Sequence, residues 1–346
     1  MKKRNINIDL IKSIAVFLVI SVHFFLNTKF YNMKVTEINM FIGIFFRTMF
    51  MICVPLFMIT TGYLMKDKKL NKKYYIGIFR VLITYLLSSI TILTYLKIYN
   101  NEPFDINYIL EKILTFSCGY SWYIEMYIGL FLLIPFINLI YNNLKSKKQK
   151  QLLILTMLIL TSFQGILNIK YIIIPDWWIN LYPLTYYFIG CYLKEYKINI
   201  NKYVNILLFF SLTALSSYIN IIFSKGDYFK NEIYNNRGSI FNVLSAVLFF
   251  IFIINLNLDR IPKVISKIIT KLSNLSLGIY LLSVIPDNLL YFHIFKDTNL
   301  YSFKKYFIII PLVFILSIVL SIIINTIYKL IDKFIIQKIF KKIIVD

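Results

Sequence analysis

Apolar runs about 20 residues long recur along the whole chain, and they constrain the fold more than any other sequence feature. One run of that length is enough to cross the hydrocarbon core of a bilayer as an α-helix. Of the 346 residues, 59% are hydrophobic, which is more apolar surface than a water-soluble domain of this length needs. The sequence therefore predicts an all-α fold, a polytopic integral membrane helical bundle embedded in a lipid bilayer.

We predict about ten transmembrane helices, with both termini cytoplasmic, because basic residues concentrate in alternate loops and cytoplasmic loops are enriched in lysine and arginine. The predicted spans are 8–27, 39–65, 74–99, 120–141, 150–168, 178–195, 203–224, 238–257, 268–292 and 306–330. The connections are short, so residues 1–335 are predicted to form a single ten-helix transmembrane domain. Residues 336–346 alternate apolar and basic positions and are predicted to form a basic amphipathic cytoplasmic tail. The Lys, Asn, Ile and Tyr usage suggests an AT-rich bacterial genome and hence a bacterial plasma membrane.

The formal net charge of +22 would suggest a nucleic-acid partner in a soluble protein. Here most basic residues lie between apolar runs, where they orient the chain in the membrane, and no nucleic-acid-binding motif is present. The three cysteines, Cys53, Cys118 and Cys191, have no metal-type spacing and are odd in number. The sequence therefore predicts no nucleic-acid partner, no disulfide framework and no metal site.

Two ionisable residues lie within the first apolar run, IDLIKSIAVFLVISVHFFL, although charge is costly in hydrocarbon. Lys12 and His23 are eleven positions apart, which is about three helical turns, so both project from one face and are separated by roughly 16 Å. The predicted orientation places Lys12 near the cytoplasmic entry and His23 deep, towards the outer surface. Lys12 is equally consistent with snorkelling to the headgroups or with pairing to Asp9, and His23 with a neutral histidine bonded to another helix.

Three further charges fall within predicted spans. Arg47 lies about two turns below the outer end of its span, and Arg80 lies about two turns above the cytoplasmic end of its own. Glu125, in SWYIEMYIGLF, enters its span from outside and shares the upper layer with Arg47. These depths predict a cavity with cations at its cytoplasmic mouth, although Glu125 is also explained as no more than an ion-pair partner of Arg47.

Five stretches, in order, resemble the membrane acyltransferase-3 family. They are NIDLIKSIAVFLVISVH, CVPLFMITTGYLM, SWYIEMYIGLFLLIPFINLI, PLTYYFIGCYLKEY and SNLSLGIYLLSV. The chain departs from the family pattern where Lys12 replaces an arginine and Thr61 a serine. It also departs where Gly77 stands in place of the first of two arginines and Ser283 in place of a histidine.

The resemblance implies transfer of an acyl group, usually acetyl, from cytoplasmic acyl-coenzyme A to a hydroxyl of an extracytoplasmic glycan or lipid-linked sugar. In that reaction His23 is predicted to act as general base, because an unperturbed imidazole titrates near neutral pH. Lys12 and Arg80 are predicted to bind the phosphates of the donor. Acyl-coenzyme A would be a substrate, with no cofactor bound permanently.

The remaining predicted roles follow the same resemblance. Arg47 is predicted to stabilise the oxyanion or orient the acceptor, Glu125 to orient His23, and Trp122 and Tyr123 to bind substrate. An acyl-histidine intermediate is an alternative to general-base catalysis. A transporter or exporter of surface polysaccharide, and a sensor or scaffold without chemistry, are competing functions. The glycan, the acyl chain length and the oligomeric state stay open.

Overall fold

The computed structural model describes residues 4–168, 171–229, 236–258, 260–294 and 301–336, and this part of the chain is almost entirely helical. The helices are α1 (Ile6–Asn27), α2 (Ile38–Phe50), α3 (Cys53–Met65), α4 (Lys72–Ile76), α5 (Phe79–Asn100), α6 (Ile106–Leu114), α7 (Trp122–Asn143), α8 (Lys147–Thr161), α9 (Gln164–Leu167), α10 (Tyr182–Glu195), α11 (Lys202–Ser224), α12 (Ile240–Ile254), α13 (Lys263–Leu282), α14 (Val284–Asn288) and α15 (Phe303–Ile331). The all-α prediction is confirmed within these ranges. The predicted tail lies outside them from residue 337 onward.

Six helical segments of the described chain are long and apolar enough to cross a membrane, or seven if the bent pair of α13 and Val284–Ile294 is one span. The chain is therefore a multi-pass membrane protein, as predicted. The predicted spans at 150–168, 178–195 and 238–257 correspond to α8, α10 and α12, which have 15, 14 and 15 residues. At about 1.5 Å per residue they rise roughly 21–23 Å, less than a hydrocarbon core of about 30 Å. The count of ten spans is not confirmed for this reason.

The predicted span 39–65 is broken into α2 and α3, and a proline explains the break. Pro55 has no N–H, so it cannot donate to the carbonyl of Met51 four residues earlier. The side-chain amide of Asn242 on α12 lies 3.3 Å from that carbonyl oxygen and supplies the missing donor. A backbone group freed within the span is thus satisfied by a neighbouring helix, as the absence of water in hydrocarbon requires.

The same solution recurs at Pro135, inside α7. Pro135 leaves the carbonyl of Phe131 without its helical donor, and the hydroxyl of Tyr74 on α4 donates to that oxygen at 2.5 Å. The rings of Tyr74 and Phe131 also stack, with their centroids 4.4 Å apart. α7 consequently continues as one helix through its proline.

The predicted span 268–292 is not straight. α13 ends at Leu282, and the following helical segment, Val284–Ile294, is bent from it by 48°. Pro286 lies three residues after the start of the bend and removes one helical donor there. The region predicted as the span 268–292 therefore consists of α13 and a bent segment, and their crossing the membrane as one span stays a prediction.

The chain divides into two compact units. The first unit comprises Met1–Asp67, Asn138–Ser273 and Asn299–Ile308, and the second comprises Lys68–Ile137, Asn274–Thr298 and Ile309–Asp346. Within the first unit α3 packs against α1, α10 and α12. The prediction of a single domain over residues 1–335 stays a prediction.

Reciprocal glycines bring α3 and α10 into close contact. A Cβ atom added at Gly62 would overlap the carbonyl oxygen of Tyr187, and one added at Gly190 would overlap the carbonyl oxygen of Ile59. The thiol of Cys191 donates to the carbonyl of Gly62 at 3.5 Å. Small residues that let two backbones approach are a common means of helix association in membranes. Two of the stretches that resemble the family, CVPLFMITTGYLM and PLTYYFIGCYLKEY, therefore pack against each other.

Replacing Gly62 with alanine is expected to lower the free energy of unfolding by about 1–3 kcal/mol, because the added methyl has only backbone to displace. The measurement is thermal unfolding of purified protein in detergent. Gly129→Ala is the matched control, since nothing lies within 4 Å of a Cβ at that position. Equal melting temperatures for the two variants would contradict the close-packing account.

Candidate active site

His23 lies in the C-terminal half of α1, in the first unit, and is 6% exposed. Aromatic contacts hold this part of α1: Phe24 meets Tyr301 and Tyr306 edge to face, at centroid distances of 6.0 and 5.5 Å. The hydroxyls of Ser21 and Tyr306 are 2.8 Å apart. The imidazole is thus carried by a helix whose orientation is fixed on several sides. Its charged neighbour is Arg237, whose guanidinium interacts electrostatically with it.

Arg47 on α2 is 2% exposed and belongs to the same unit. Its Nε donates to the hydroxyl of Tyr31 at 2.9 Å. The guanidinium carbon also lies 5.7 Å from the ring centroid of Tyr31 and 5.2 Å from that of Phe229. Cation–π contacts of this kind help a desolvated guanidinium keep its charge. Arg47 is therefore a buried arginine within an apolar helical segment, and its predicted depth in the membrane stays a prediction.

Cys53 is the first residue of α3 and is 4% exposed. Two arginines, Arg237 and Arg47, act electrostatically on its thiol. Because the N-terminal end of a helix carries partial positive charge, the start of α3 adds to the field of the two guanidinium groups. We call His23, Arg47, Cys53 and Arg237 together the upper cluster, because Arg237 acts electrostatically on His23 and Cys53, and Arg47 acts on Cys53.

Arg237 was not among the predicted site residues. Its backbone is pinned by the hydroxyl of Tyr186, which donates to the Arg237 carbonyl at 2.6 Å. The side-chain amide of Asn242 lies 3.4 Å from the same carbonyl oxygen. The Arg237 side chain also makes a hydrogen bond with Tyr182 at the start of α10.

Gly238, the residue after Arg237, allows the backbone to come this close to Tyr182. A Cβ atom at Gly238 would lie 3.2 Å from the Cβ of Tyr182 and 3.3 Å from the carbonyl oxygen of Thr161. The signal in the sequence was therefore an arginine–glycine pair directly before an apolar run. Sequence reasoning counted Arg237 among the loop charges and gave it no role.

The N-terminal end of α1 carries a buried carboxylate. Asp9 is 5% exposed and pairs with Arg4, whose Nη2 donates to it at 2.8 Å. The hydroxyl of Ser273 on α13 donates to Asp9 at 2.7 Å. Hydrogen bonding to Asp9 raises the pKa of Arg4 above its ordinary value. Asp9 therefore makes an ion pair with Arg4, and Lys12 is half-buried on the same helix.

The other predicted site residues lie in the second unit. Arg80, near the start of α5, is exposed, and its guanidinium carbon lies 5.7 Å from the ring centroid of Tyr328. Trp122 and Tyr123 begin α7, are half-buried, and meet edge to face with centroids 6.1 Å apart. Glu125 is exposed on the same helix. The roles predicted for these residues stay predictions.

The second unit also contains a buried carboxylate that the sequence did not single out. Asp287 lies in α14, in the bent segment, and is 2% exposed. The hydroxyl of Tyr120 donates to it at 2.9 Å. The hydroxyl of Tyr280 in turn donates to the carbonyl of Tyr120. This network ties the segment before α7 to the broken helix.

The upper cluster offers an imidazole and two guanidinium groups, which would suit chemistry on a carbonyl that develops negative charge. In the described ranges no group of three or more His, Cys, Asp or Glu residues is arranged to hold a metal ion. The three cysteines are free and buried. The chemistry open to the cluster is proton transfer by His23 with electrostatic support from arginine.

Residues 5–326 match the model of the acyltransferase-3 family, which is described as an acyltransferase domain. The match covers nearly all of the described chain, including every residue of the upper cluster. No curated protein and no solved structure matches the sequence.

Replacing Asn242 with alanine is expected to cost about 1–3 kcal/mol of unfolding free energy, because the Met51 carbonyl then has no donor. In a Pro55→Ala background the new N–H at position 55 can donate to that carbonyl, so the cost of Asn242→Ala is expected to be smaller. A double-mutant cycle on thermal unfolding in detergent measures the difference. Additive costs would show that Asn242 does not replace the missing helical donor.

Proposed function

Because the chain belongs to the membrane acyltransferase-3 family, we propose that it transfers an acetyl or other short acyl group from cytoplasmic acyl-coenzyme A to a hydroxyl of an extracytoplasmic cell-surface glycan or lipid-linked sugar. The observation that carries this proposal is the burial of His23, 6% exposed, within the region that matches the family. Ionisable residues within membrane-spanning segments are rare and commonly mark functional sites.

The proposed reaction needs access to both sides of the membrane, and the proposed topology provides it. Ten spans with both termini in the cytoplasm place the Lys12 end of α1 at the cytosolic donor and the His23 end towards the external acceptor. The protein would lie in a bacterial plasma membrane. The basic loops at alternate spans support this orientation.

In the proposed reaction His23 takes the proton of the acceptor hydroxyl as its oxygen attacks the thioester carbonyl. A C–O bond forms, the C–S bond breaks, and the coenzyme A thiolate leaves and takes up a proton from the imidazolium. Arg47 stabilises the oxyanion of the tetrahedral intermediate; its buried guanidinium can do this without first losing bulk water. An acyl-histidine intermediate would replace the single displacement with two, with the same net balance.

The donor side of the proposal rests on Lys12, which is half-buried at the cytoplasmic end of α1. An ammonium group there would bind a phosphate of coenzyme A by charge-assisted hydrogen bonds. In the second unit Arg80 is proposed to bind donor phosphate as well. Trp122 and Tyr123 are proposed to bind substrate, and Glu125 to orient the base.

An exporter of surface polysaccharide is the competing function. It would use the same intramembrane charges to line a path but would leave acyl-coenzyme A intact. Purified protein in liposomes, supplied with labelled acetyl-coenzyme A and surface glycans, separates the two functions. Release of free coenzyme A together with labelled glycan supports the transferase, and glycan movement without thioester cleavage supports the exporter.

His23→Ala is expected to lower the turnover of acyl transfer by about 10²–10⁴-fold, because a general base typically contributes that much. The chain has one other histidine, His293, which is exposed in the second unit. His293→Ala is the matched control and should keep full activity. Each variant's melting temperature in detergent verifies folding. Wild-type turnover in folded His23→Ala protein would remove the catalytic assignment.

Lys12→Glu is expected to raise the KM for acyl-coenzyme A by roughly 10- to 100-fold, since it replaces a charge-assisted phosphate contact with repulsion. Lys12→Arg keeps the positive charge and should retain donor affinity. Steady-state kinetics with the acceptor held at saturation measure both. If the two variants bound donor equally well, Lys12 would have no part in phosphate binding.

A further inference from the structure

The connection between α8 and α10, in the first unit, carries exposed apolar side chains. We call residues 162–181 the apolar turn. Among its described residues, 162–168 and 171–181, Asp176 is the one charged side chain. Trp177 is 93% exposed. Four further exposed residues of the turn are apolar or aromatic: Tyr171, Ile172, Ile173 and Trp178. Apolar surface gathered outside the long helices needs a cover, either a membrane or another molecule.

α8 and α10 form an antiparallel hairpin whose two ends differ in character. At one end the Nζ of Lys150 lies 2.6 Å from the Oε1 of Glu195, and Lys147 is exposed. At the other end the hydroxyls of Thr161 and Thr185 are 2.8 Å apart, and the apolar turn follows. An exposed lysine is costly within hydrocarbon, so the charged end lies at or outside a headgroup layer.

The hairpin is too short to reach the opposite headgroup layer from there. α8 has 15 residues and α10 has 14, which rise roughly 21–23 Å at about 1.5 Å per residue. The hydrocarbon core is about 30 Å thick, so roughly 7–9 Å of it remains beyond the threonine pair. Tilting the hairpin increases this distance. The apolar turn therefore begins inside the remaining layer of hydrocarbon.

The apolar turn satisfies its backbone with its own side chains, as a non-helical segment at membrane depth must. The Oδ1 of Asn168 accepts from the backbone N–H groups of Ile173 and Ile174 at 2.9 and 3.0 Å. Its Nδ2 donates to the carbonyl of Ile174 at 2.7 Å. The buried side chain of Gln164 donates to the carbonyl of Pro175 at 2.9 Å. A turn in water needs no such bonds, because water would supply them.

Asp176 limits the depth at which the apolar turn can lie. Its carboxylate is exposed, and its Oδ1 accepts from the Nδ2 of Asn168 at 2.6 Å. A carboxylate is costly at the centre of the hydrocarbon, whereas the indole rings of Trp177 and Trp178 are favoured where hydrocarbon meets headgroups. The two preferences together place the turn in the boundary layer and not at the midplane.

We propose that the apolar turn is inserted into the leaflet opposite the charged end of the hairpin, with lipid covering Ile172, Ile173, Trp177 and Trp178. α8 and α10 then enter the bilayer from one side and return to it as a re-entrant hairpin. Every other helix keeps the orientation proposed above, because α8 still begins and α10 still ends on one side. In the proposed topology the leaflet is the outer one, and the insertion does not depend on acyl transfer.

Tryptophan fluorescence in liposomes tests the insertion, since the chain has three tryptophans. The double variant Trp122→Phe/Trp178→Phe leaves Trp177 as the single reporter. Its emission maximum is recorded, and two quenchers are compared: iodide on both sides of the bilayer, and lipids with brominated acyl chains. Thermal unfolding in detergent verifies the fold. If that variant does not fold, Trp122→Phe/Trp177→Phe leaves Trp178 to report on the same surface.

Two matched controls use a background in which all three tryptophans are replaced by phenylalanine. Phe210→Trp places an indole at an exposed position of α11, a helix long enough to span, and reports on lipid. Tyr228→Trp places one at an exposed position beside Asp227, outside the helices, and reports on water.

Trp177 is expected to emit at shorter wavelength than the Tyr228→Trp control and to lose more fluorescence to brominated lipid than to iodide. An indole that is 93% exposed in the protein emits as in water unless lipid covers it. Emission and quenching equal to those of Tyr228→Trp would overturn the proposal. Emission at short wavelength that neither quencher reduces would overturn it as well, because another protein chain would then cover the turn.

Discussion

Two carbonyl groups without a helical donor determine much of how this protein is assembled. Pro55 deprives the Met51 carbonyl of its partner, and Pro135 deprives that of Phe131. Inside hydrocarbon no water can replace the lost bond, so a side chain from another helix must reach the exact oxygen left free. Asn242 does so for Met51 and Tyr74 for Phe131, each within one unit. Pro55 in α3 thereby creates the need for a hydrogen-bond donor on α12, which Asn242 supplies.

The consequence reaches the candidate site. The amide of Asn242 that serves the Met51 carbonyl also approaches the carbonyl of Arg237, so the requirement created by the proline positions a cation. Cys53, two residues after Met51, begins α3 beside that cation. One side chain, that of Asn242, therefore both supplies a donor to the Met51 carbonyl and helps to position Arg237. The arrangement also explains why a polar residue such as Asn242, which is 5% exposed, is tolerated in an apolar helix.

The sequence predicted the all-helical fold and the six longest apolar segments of the described chain, because runs of apolar residues separated by basic loops leave few alternatives in a bilayer. It did not predict the break at Met51 or the bend after Leu282, although a proline marks each, since prolines within spans give either a break or, as at Pro135, a continuous helix. The outcome depends on whether another helix supplies a donor, which is tertiary information.

The candidate site residues also divide into those that the sequence reveals and those that only the structure reveals. Arg47 and His23 were visible because a charge inside an apolar run is conspicuous, and both are buried in the first unit. Arg237 was not visible, because it lies in a polar segment where cations are ordinary. Asp287 was also missed, although it is a carboxylate in an apolar stretch.

The departures from the family pattern fall in both units. Lys12 and Thr61 belong to the first unit, together with His23, the Val-Pro-Leu-Phe stretch after Cys53 and the glycines that join α3 to α10. Gly77 and Ser283 belong to the second.

Ser283 is fully buried, and its hydroxyl donates to the carbonyl of Tyr280 at 2.8 Å. An imidazole in that place would need more volume and a second hydrogen-bonding partner, so the surroundings have closed around the smaller side chain. At Gly77 an added Cβ would lie 3.0 Å from the carbonyl oxygen of Tyr74, the residue that serves the proline of α7. An arginine at position 77 would crowd Tyr74, whose hydroxyl donates to the carbonyl of Phe131. The packing of the second unit at these two positions therefore fits the residues that stand there and leaves little room for larger ones.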